Sequence, residues 1–340
     1  MNRQYRPWRA MRARPDGSPF GGLSKQDKKV LAMVVFSDVT NVAKGYFLVA
    51  VGVTEHVGAA TTALVSALFA GTVYWTVYRP SWQTARSMWK TVLPMGISLA
   101  ANHIAYQYVL RWVSLQILAP LMFVCTAVFM MGPDVVRDIR KQKYSTVFWP
   151  LLALLGTLAL VNDSAVKKGG GGFSDTVPDI HVLGQGIPAW CLGVGVVVFT
   201  AATYALHNWF LATIGRSLKG KVNTLAFFVT LPIFATVAWT EEGGSAVITS
   251  GSWPYLLICA GTGAVGTLLS GVVIVKAYEQ NLRVSAKAML SPLNTLAGIL
   301  LGMLIAQTAP GPLGAVAICV VLVASYGAAK YQSRNKSGSD

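Results

Sequence analysis

The sequence predicts an all-α integral membrane protein of ten transmembrane helices, arranged as two inverted five-helix repeats with both termini cytoplasmic. Three observations predict it: an apolar composition, ten runs of spanning length, and a strict alternation of basic residues between those runs. Of the 340 residues, 54% are hydrophobic and only 12% charged, and the mean hydropathy is +0.52. Soluble domains are about a quarter charged, because water has to solvate their surface. The surplus of apolar surface is therefore predicted to face lipid.

A membrane helix needs about 20 mostly apolar residues to cross the hydrocarbon core. Such runs fall near 30–53, 57–78, 91–110, 115–132, 146–162, 187–212, 223–240, 253–275, 287–307 and 312–329. The first half then covers 30–162 and the second 187–329. Between them, 163–186 carries Gly169 to Gly172 and Pro178 and reads as a flexible extracytoplasmic loop. A basic tail (1–29) and a short tail (330–340) flank the two halves.

Orientation follows from the Lys/Arg bias, since basic residues near span ends are retained in the cytoplasm. With the N-terminus inside, the inside segments hold 24 of the 28 basic residues and the outside segments hold three: Arg111, Lys167 and Lys168. Lys44 alone remains within a span. One missed or invented span would scramble this alternation, so the bias supports the helix number as well as the sidedness. The net charge of +15 forms no stripe with interleaved aromatics, which argues against a nucleic-acid partner. The tail, with Arg3, Arg6, Arg9, Arg12 and Arg14, reads as a cytoplasmic basic arm, because no small-residue cleavage site precedes the next apolar run.

Two junctions share a pattern. Ala105-Tyr106, Arg111 and Pro120 recur as Ala277-Tyr278, Arg283 and Pro292, all at one offset of 172 residues. This pairs the third span with the eighth and the fourth with the ninth. The first junction lies outside and the second inside by the charge count, so the repeats are inverted. Two halves of like fold and opposite insertion suit a carrier that opens a midplane site first to one side and then to the other.

Charged groups near the bilayer centre cost about 3 kcal/mol on insertion scales and are expected to face protein or a water-filled space. Asp38, Asn41 and Lys44 on the first helix fall within about 120° of one another, on one face. Asp38 and Lys44 lie about 9 Å apart along the axis and are not an i, i+4 pair. Lys44 offers a fixed cation to a carboxylate or phosphate. Asp38 could meet an ammonium group or carry a proton. The alternative for each is neutralisation by another helix. Asn102 and His103 on the third helix are the next candidates, followed by Asn294 near the Pro292 kink. Thr200, Thr203, Tyr204, His207 and Asn208 form a polar stripe on the sixth helix. It would line a pore or pack by interhelical hydrogen bonds.

Cys125, Cys191, Cys259 and Cys319 all lie in apolar runs without CxxC or histidine spacing, and indicate neither disulfide nor metal. Gly193, Gly195, Gly261, Gly263, Gly266, Gly298 and Gly302 allow close helix approach. Most tryptophans sit near span ends, as an interfacial belt does. No GxxxxGK[ST] motif is present, so an ion or substrate gradient is expected to supply the energy.

Several stretches carry a family resemblance. They are Ala43-Lys44 with the following Thr62-Ala63-Leu64 and Arg79-Pro80-Ser81-Trp82, then Gly96 to Asn102, then Pro292 to Gly298. In these the chain resembles the drug/metabolite transporter superfamily, its EamA family, and within that the bacterial threonine/homoserine exporter type. The resemblance implies a ten-helix carrier in a bacterial-type inner membrane, with the first four helices of each half lining the cavity and the fifth and tenth peripheral. Lys44 and Asn102 match its pattern. Ser291 stands where an acidic residue often precedes the ninth-helix proline, and Met303 where a glutamate often follows the glycine, so the substrate and coupling ion are not carried over. The expectation is a non-enzymatic secondary transporter of small polar metabolites, zwitterionic or anionic, without a cofactor. Amino acids lead, coupling to protons or another ion is admitted, and so is a homodimer. The rival carrier is an organic-phosphate or nucleotide-sugar antiporter, disfavoured because Lys44 is the one cation the spans offer. An intramembrane enzyme or a non-transporting scaffold is the alternative of another class.

Overall fold

The computed structural model describes residues 25–113, 189–242, 252–280 and 311–337 without a break. Shorter pieces lie at 118, 121–122, 124–132, 148–149, 151–152, 155–156, 159, 180–182, 185–187, 282, 284–289 and 301. In order the helices are α1 (Lys25–Ala50), α2 (Val53–His56), α3 (Ala59–Tyr78), α4 (Trp82–Trp112), α5 (Ala189–Thr213), α6 (Lys219–Glu242), α7 (Trp253–Gly266), α8 (Val272–Glu279), α9 (Val284–Met289) and α10 (Pro312–Ser337). Helical residues at 121–122, 124–132, 148–149, 151–152, 155–156 and 159 lie between α4 and α5.

The protein is an all-α membrane protein. Five stretches among the described residues are long and apolar enough to cross a bilayer: Ala32–Ala50, Ala59–Tyr78, Cys191–Thr213, Arg216–Glu242 and Trp253–Glu279. Helix α4 is longer still at 31 residues, but its first turns carry Arg86 and Lys90. Those charges placed the expected span at 91–110, whereas the helix begins at Trp82. Ser81 starts it, its hydroxyl accepting from the Thr84 amide at 3.2 Å. Just before, Arg79 ends α3 in the left-handed region (φ 43°), and Pro80, lacking an N–H, prevents continuation. The loop expected over 163–186 ends differently: Ile180–Val182 and Gln185–Ile187 form an antiparallel two-stranded ladder, with Ile180 opposite Ile187, that leads into α5. Part of the fourth expected span and most of the fifth and ninth lie outside the described residues.

The helices pair in a regular way. Helices α3 and α6 pack on each other, α4 packs on α6 and α5, and the α7–α8 span packs on α3 and α1. Close crossings are made by glycine. A Cβ on Gly96 of α4 would strike Val229 and come 3.0 Å from the Ala226 carbonyl of α6, and one on Gly263 of α7 would strike the Ser66 backbone of α3. The main core unites Val34, Ala67, Met95, Ala205, Phe234, Val275 and their neighbours. Val124, Val321, Ala324, Trp149 and Leu152 form a separate small cluster, so the 148–156 segment and α10 pack together beside the bundle. Trp82, Trp239 and Trp253 are exposed at helix ends, as an interfacial belt requires.

The ends of the bundle are tied. Glu242, at the end of α6, accepts from the Ala60 amide at 2.7 Å, the Thr61 amide at 3.2 Å and the Thr61 hydroxyl at 2.5 Å. A carboxylate there satisfies orphan donors and complements the positive end of α3. A Cβ on Gly58 would collide with it. Arg111 of α4 donates to the Gln107 carbonyl at 2.7 Å and to Val57 O. At the other end of the same crossing, Tyr78 of α3 lies where a Cβ on Gly220 would stand. Lys219 caps the C-terminus of α5, donating to Leu211 O and to Ala212 O at 3.1 Å.

The span Trp253–Glu279 is interrupted by a π turn, Thr267–Gly271. A wider turn displaces carbonyls from the α ladder. The Ser270 carbonyl is met from α1, by the Ser37 hydroxyl at 3.0 Å, with the two hydroxyls 3.2 Å apart. Nothing in the composition of that run distinguished it from an ordinary helix.

Candidate functional site

Helix α1 shows where the interior opens. At about 100° per residue, Val30, Val34, Ser37, Gly45 and Leu48 all project within about 40° of Asn41, and all five are buried. Asn41 sits among them and is exposed. Phe36 and Phe47, about 120–140° away by the same periodicity, are exposed on the opposite, outer face. An exposed residue in the middle of the packed face borders a space inside the bundle rather than lipid. Lys44 and Asp38 flank it, about 60° to either side.

The two ionisable groups have different surroundings. Lys44 is partly exposed, and its ammonium is not engaged in an ion pair or hydrogen bond among the described residues. Its alkyl chain runs past Gly266, where a Cβ would sit 3.0 Å from its Cδ, and it is within electrostatic range of His103 and Cys259. Asp38 is 3% exposed and pairs with Lys287 of α9, Oδ1 to Nζ at 3.7 Å. The neutralising partner on another helix therefore exists for Asp38, and it is Lys287.

Lys287 is the residue that sequence reasoning missed. It stands at the first position of the expected ninth span, close behind Lys276 and Arg283, where the Lys/Arg bias predicts a cytoplasmic residue. In the structure its side chain is 4% exposed, so the interior holds a second lysine beside Lys44. Besides Asp38, it donates to the Tyr204 hydroxyl at 2.8 Å and the Asn208 Oδ1 at 2.9 Å, with its ammonium 4.6 Å from the Tyr204 ring centroid. Tyr278 donates to the same Asn208 oxygen at 2.8 Å, and Asn208 Nδ2 donates to the Tyr204 carbonyl at 2.7 Å. Three helices, α1, α5 and α9, thus meet at one ammonium, and α8 joins them through Asn208.

The other expected residues divide. His103 is partly exposed, lies edge-on to Phe227 with centroids 5.7 Å apart, and has Phe234 at 6.2 Å. Tyr74 stands 5.0 Å from Phe227, so an aromatic wall from α3, α4 and α6 adjoins Lys44. Asn102 is turned to packing: its amide donates to the Thr200 carbonyl of α5 at 2.8 Å and to the Thr203 hydroxyl at 3.4 Å, and Ser98 donates to the Thr203 carbonyl at 3.1 Å. The stripe on α5 splits accordingly, Thr200 and Thr203 facing α4 while Tyr204 and Asn208 face Lys287. His207 is buried, and its Nδ1 finds no partner among the described residues. Asn294 lies outside the described residues. None of the four cysteines is paired, and no metal-ligating cluster occurs among the described residues.

No family model and no curated protein matches the chain. Nine chains of solved structures match. One, described only as "Crystal structure of protein", is 15% identical, covers 87% of this chain and 98% of its own, and superposes with a TM-score of 0.54. At that identity the likeness is one of fold.

Proposed function

We propose that the protein is a secondary transporter that moves small polar metabolites by alternating access. In this reading ten transmembrane helices form two inverted five-helix repeats, with both termini in the cytoplasm of a bacterial-type cell. The observation that carries it is the exposed Asn41 on the packed face of α1, with the Lys44 ammonium, unpaired among the described residues, beside it. An unpaired cation in the interior of a membrane protein is costly. A transient anionic partner gives it a use.

The packing supports the repeat. Exchanging the halves maps the α3–α6 pair onto itself, the α4–α6 pair onto the α3–α7 pair, and the α4–α5 pair onto the packing of α1 against α7–α8. Tyr106 and Tyr278, matched at the offset of 172, behave alike: each reaches the first helix of its own half, Tyr106 against Gly45 and Tyr278 to Asn208. The separate 148–156/α10 cluster agrees with peripheral fifth and tenth helices.

Amino acids, with threonine and homoserine leading, are the substrate class that the EamA resemblance suggests, and Lys44 suits a substrate carboxylate. Lys287 favours the second reading, an organic-phosphate or nucleotide-sugar antiporter, because it removes the shortage of interior cations that stood against it. Thermal stabilisation of the purified protein by amino acids, phosphates and nucleotide sugars separates the two. A ligand at a hundred times its Kd stabilises by roughly 2.7 kcal/mol. A shift with threonine or homoserine that is lost in Lys44→Ala is the expected result. A shift with phosphorylated ligands alone moves the protein to the antiporters, and a shift unchanged in Lys44→Ala takes Lys44 out of the site.

A further inference from the structure

The Asp38–Lys287 pair is an unusual way to hold a membrane bundle together. Asp38 is the one acidic residue within the expected spans, it is 3% exposed, and its partner comes from the other half of the chain. The contact is loose: one carboxylate oxygen stands 3.7 Å from the ammonium, while Lys287 makes two shorter bonds to Tyr204 and Asn208. Lys287 thus keeps two acceptors when Asp38 is withdrawn. One turn further along α1 lies Asn41, exposed in the middle of the packed face and three residues from Asp38. Among the described residues the pair is an ionic tie between α1 and α9, and breaking it loosens the helix that carries Lys44.

We infer that Asp38, held by Lys287 and Tyr204, is a proton-binding site that couples proton movement to the opening of the interior. This rests on the transport reading of the same interior. A proton arriving through interior water adds to the Asp38 carboxylate and gives a neutral carboxyl. Lys287 stays an ammonium and keeps Tyr204 and Asn208 as acceptors. The charge of the cluster rises by one, the tie to α1 weakens, and α1 separates from α5 and α9. Loss of the proton to the opposite side restores the carboxylate and the tie. Among the described residues, the titratable or charged groups around the site are Lys44 on its own helix, Tyr74 on α3, His103 and Tyr106 on α4, Tyr204 and His207 on α5, Cys259 on α7, Tyr278 on α8 and Lys287 on α9. Asp38 alone among them is a carboxylate. A pair serving only to fasten helices would have no need of spare acceptors for the lysine.

Two measurements on the full chain test this. Asp38→Asn alone leaves Lys287 buried without its counter-charge, so the Asp38→Asn/Lys287→Met double variant is measured beside it. The first is the infrared difference spectrum between alkaline and acid pH for protein in nanodiscs. The expected result is a carboxylic-acid carbonyl band that appears on acidification and is missing from both variants. If no band depends on Asp38, the assignment is overturned. The second uses labelled threonine and vesicles of phosphatidylethanolamine and phosphatidylglycerol. The wild type is expected to exchange threonine for threonine and to respond to a pH gradient, and in the double variant the flux with a gradient is expected to fall to the level without one. Full gradient drive in the double variant overturns the assignment. A wild type that moves no threonine in either mode refutes the amino-acid reading, and the infrared band still decides the proton site.

Discussion

Two lysines in one membrane interior, one engaged and one not, make opposite demands on stability. Removing one member of a buried pair strands the other charge and costs about 3–5 kcal/mol. Lys287→Met is therefore expected to lower the unfolding free energy in detergent by about that amount, and adding Asp38→Asn to recover most of it. Lys44 has no partner to strand among the described residues, so Lys44→Met is expected to unfold no more easily than the wild type, while losing ligand-induced stabilisation. Equal losses from the two lysine variants would mean that Lys44 is held as tightly as Lys287. The difference between them was only half legible in the sequence. Lys44 stands alone in an apolar run and announces itself. Lys287 follows Lys276 and Arg283 and looks like the third member of a cytoplasmic cluster. Only its contact with Asp38, far away in the chain, shows that it has turned inward.

At the scale of the element, the helices were legible where chemistry is local and illegible where it is not. Apolar length fixes α3 to within two residues, and the Tyr78–Arg79–Pro80–Ser81 junction carries its own stop and start. The early start of α4 was hidden because Arg86 and Lys90 continue a helix outside the apolar run. The π turn was hidden because Gly266, Ser270 and Gly271 suit an ordinary helix equally well. Glycines are expected to differ according to what faces them. Gly263 meets the Ser66 backbone, and Gly195 has nothing within 4 Å. Gly263→Ala should cost about 1–3 kcal/mol through forced separation of α7 from α3. Gly195→Ala should be neutral or stabilising by up to about 1 kcal/mol, the gain in helix propensity. Thermal unfolding of the two variants in one detergent measures the contrast.

For the whole molecule, the basic-residue alternation and the helix pairing make a joint claim about sidedness. Glu55 and Ser217 are both exposed, at opposite ends of the α3–α6 crossing. In a cysteine-less background, Glu55→Cys is expected to react with an impermeant maleimide from outside the cell, and Ser217→Cys only after the membrane is opened. Labelling of both from one side would break the inverted arrangement. The all-α membrane class was legible because the bilayer imposes a length on each apolar run. The interior was less so: Asp38, Asn41, Lys44 and His103 stood out as polar residues in apolar runs, but Asn102 shows that such a residue can equally be spent on joining two helices. Which of them face open space is decided by packing across the two halves.

The π turn at Thr267–Gly271 has a consequence for the length of its span. A turn of this kind takes up one residue more than the α geometry around it needs, so it sets the phase of every residue that follows. A chain with one residue fewer there would carry the same apolar run and cross the same bilayer, yet α8 would be rotated by about 100°. Tyr278 would then turn away from Asn208, and Lys287 would lose the arrangement that receives it. The span tolerates almost any apolar spelling but not a change in its number of letters, a constraint to which hydropathy is blind.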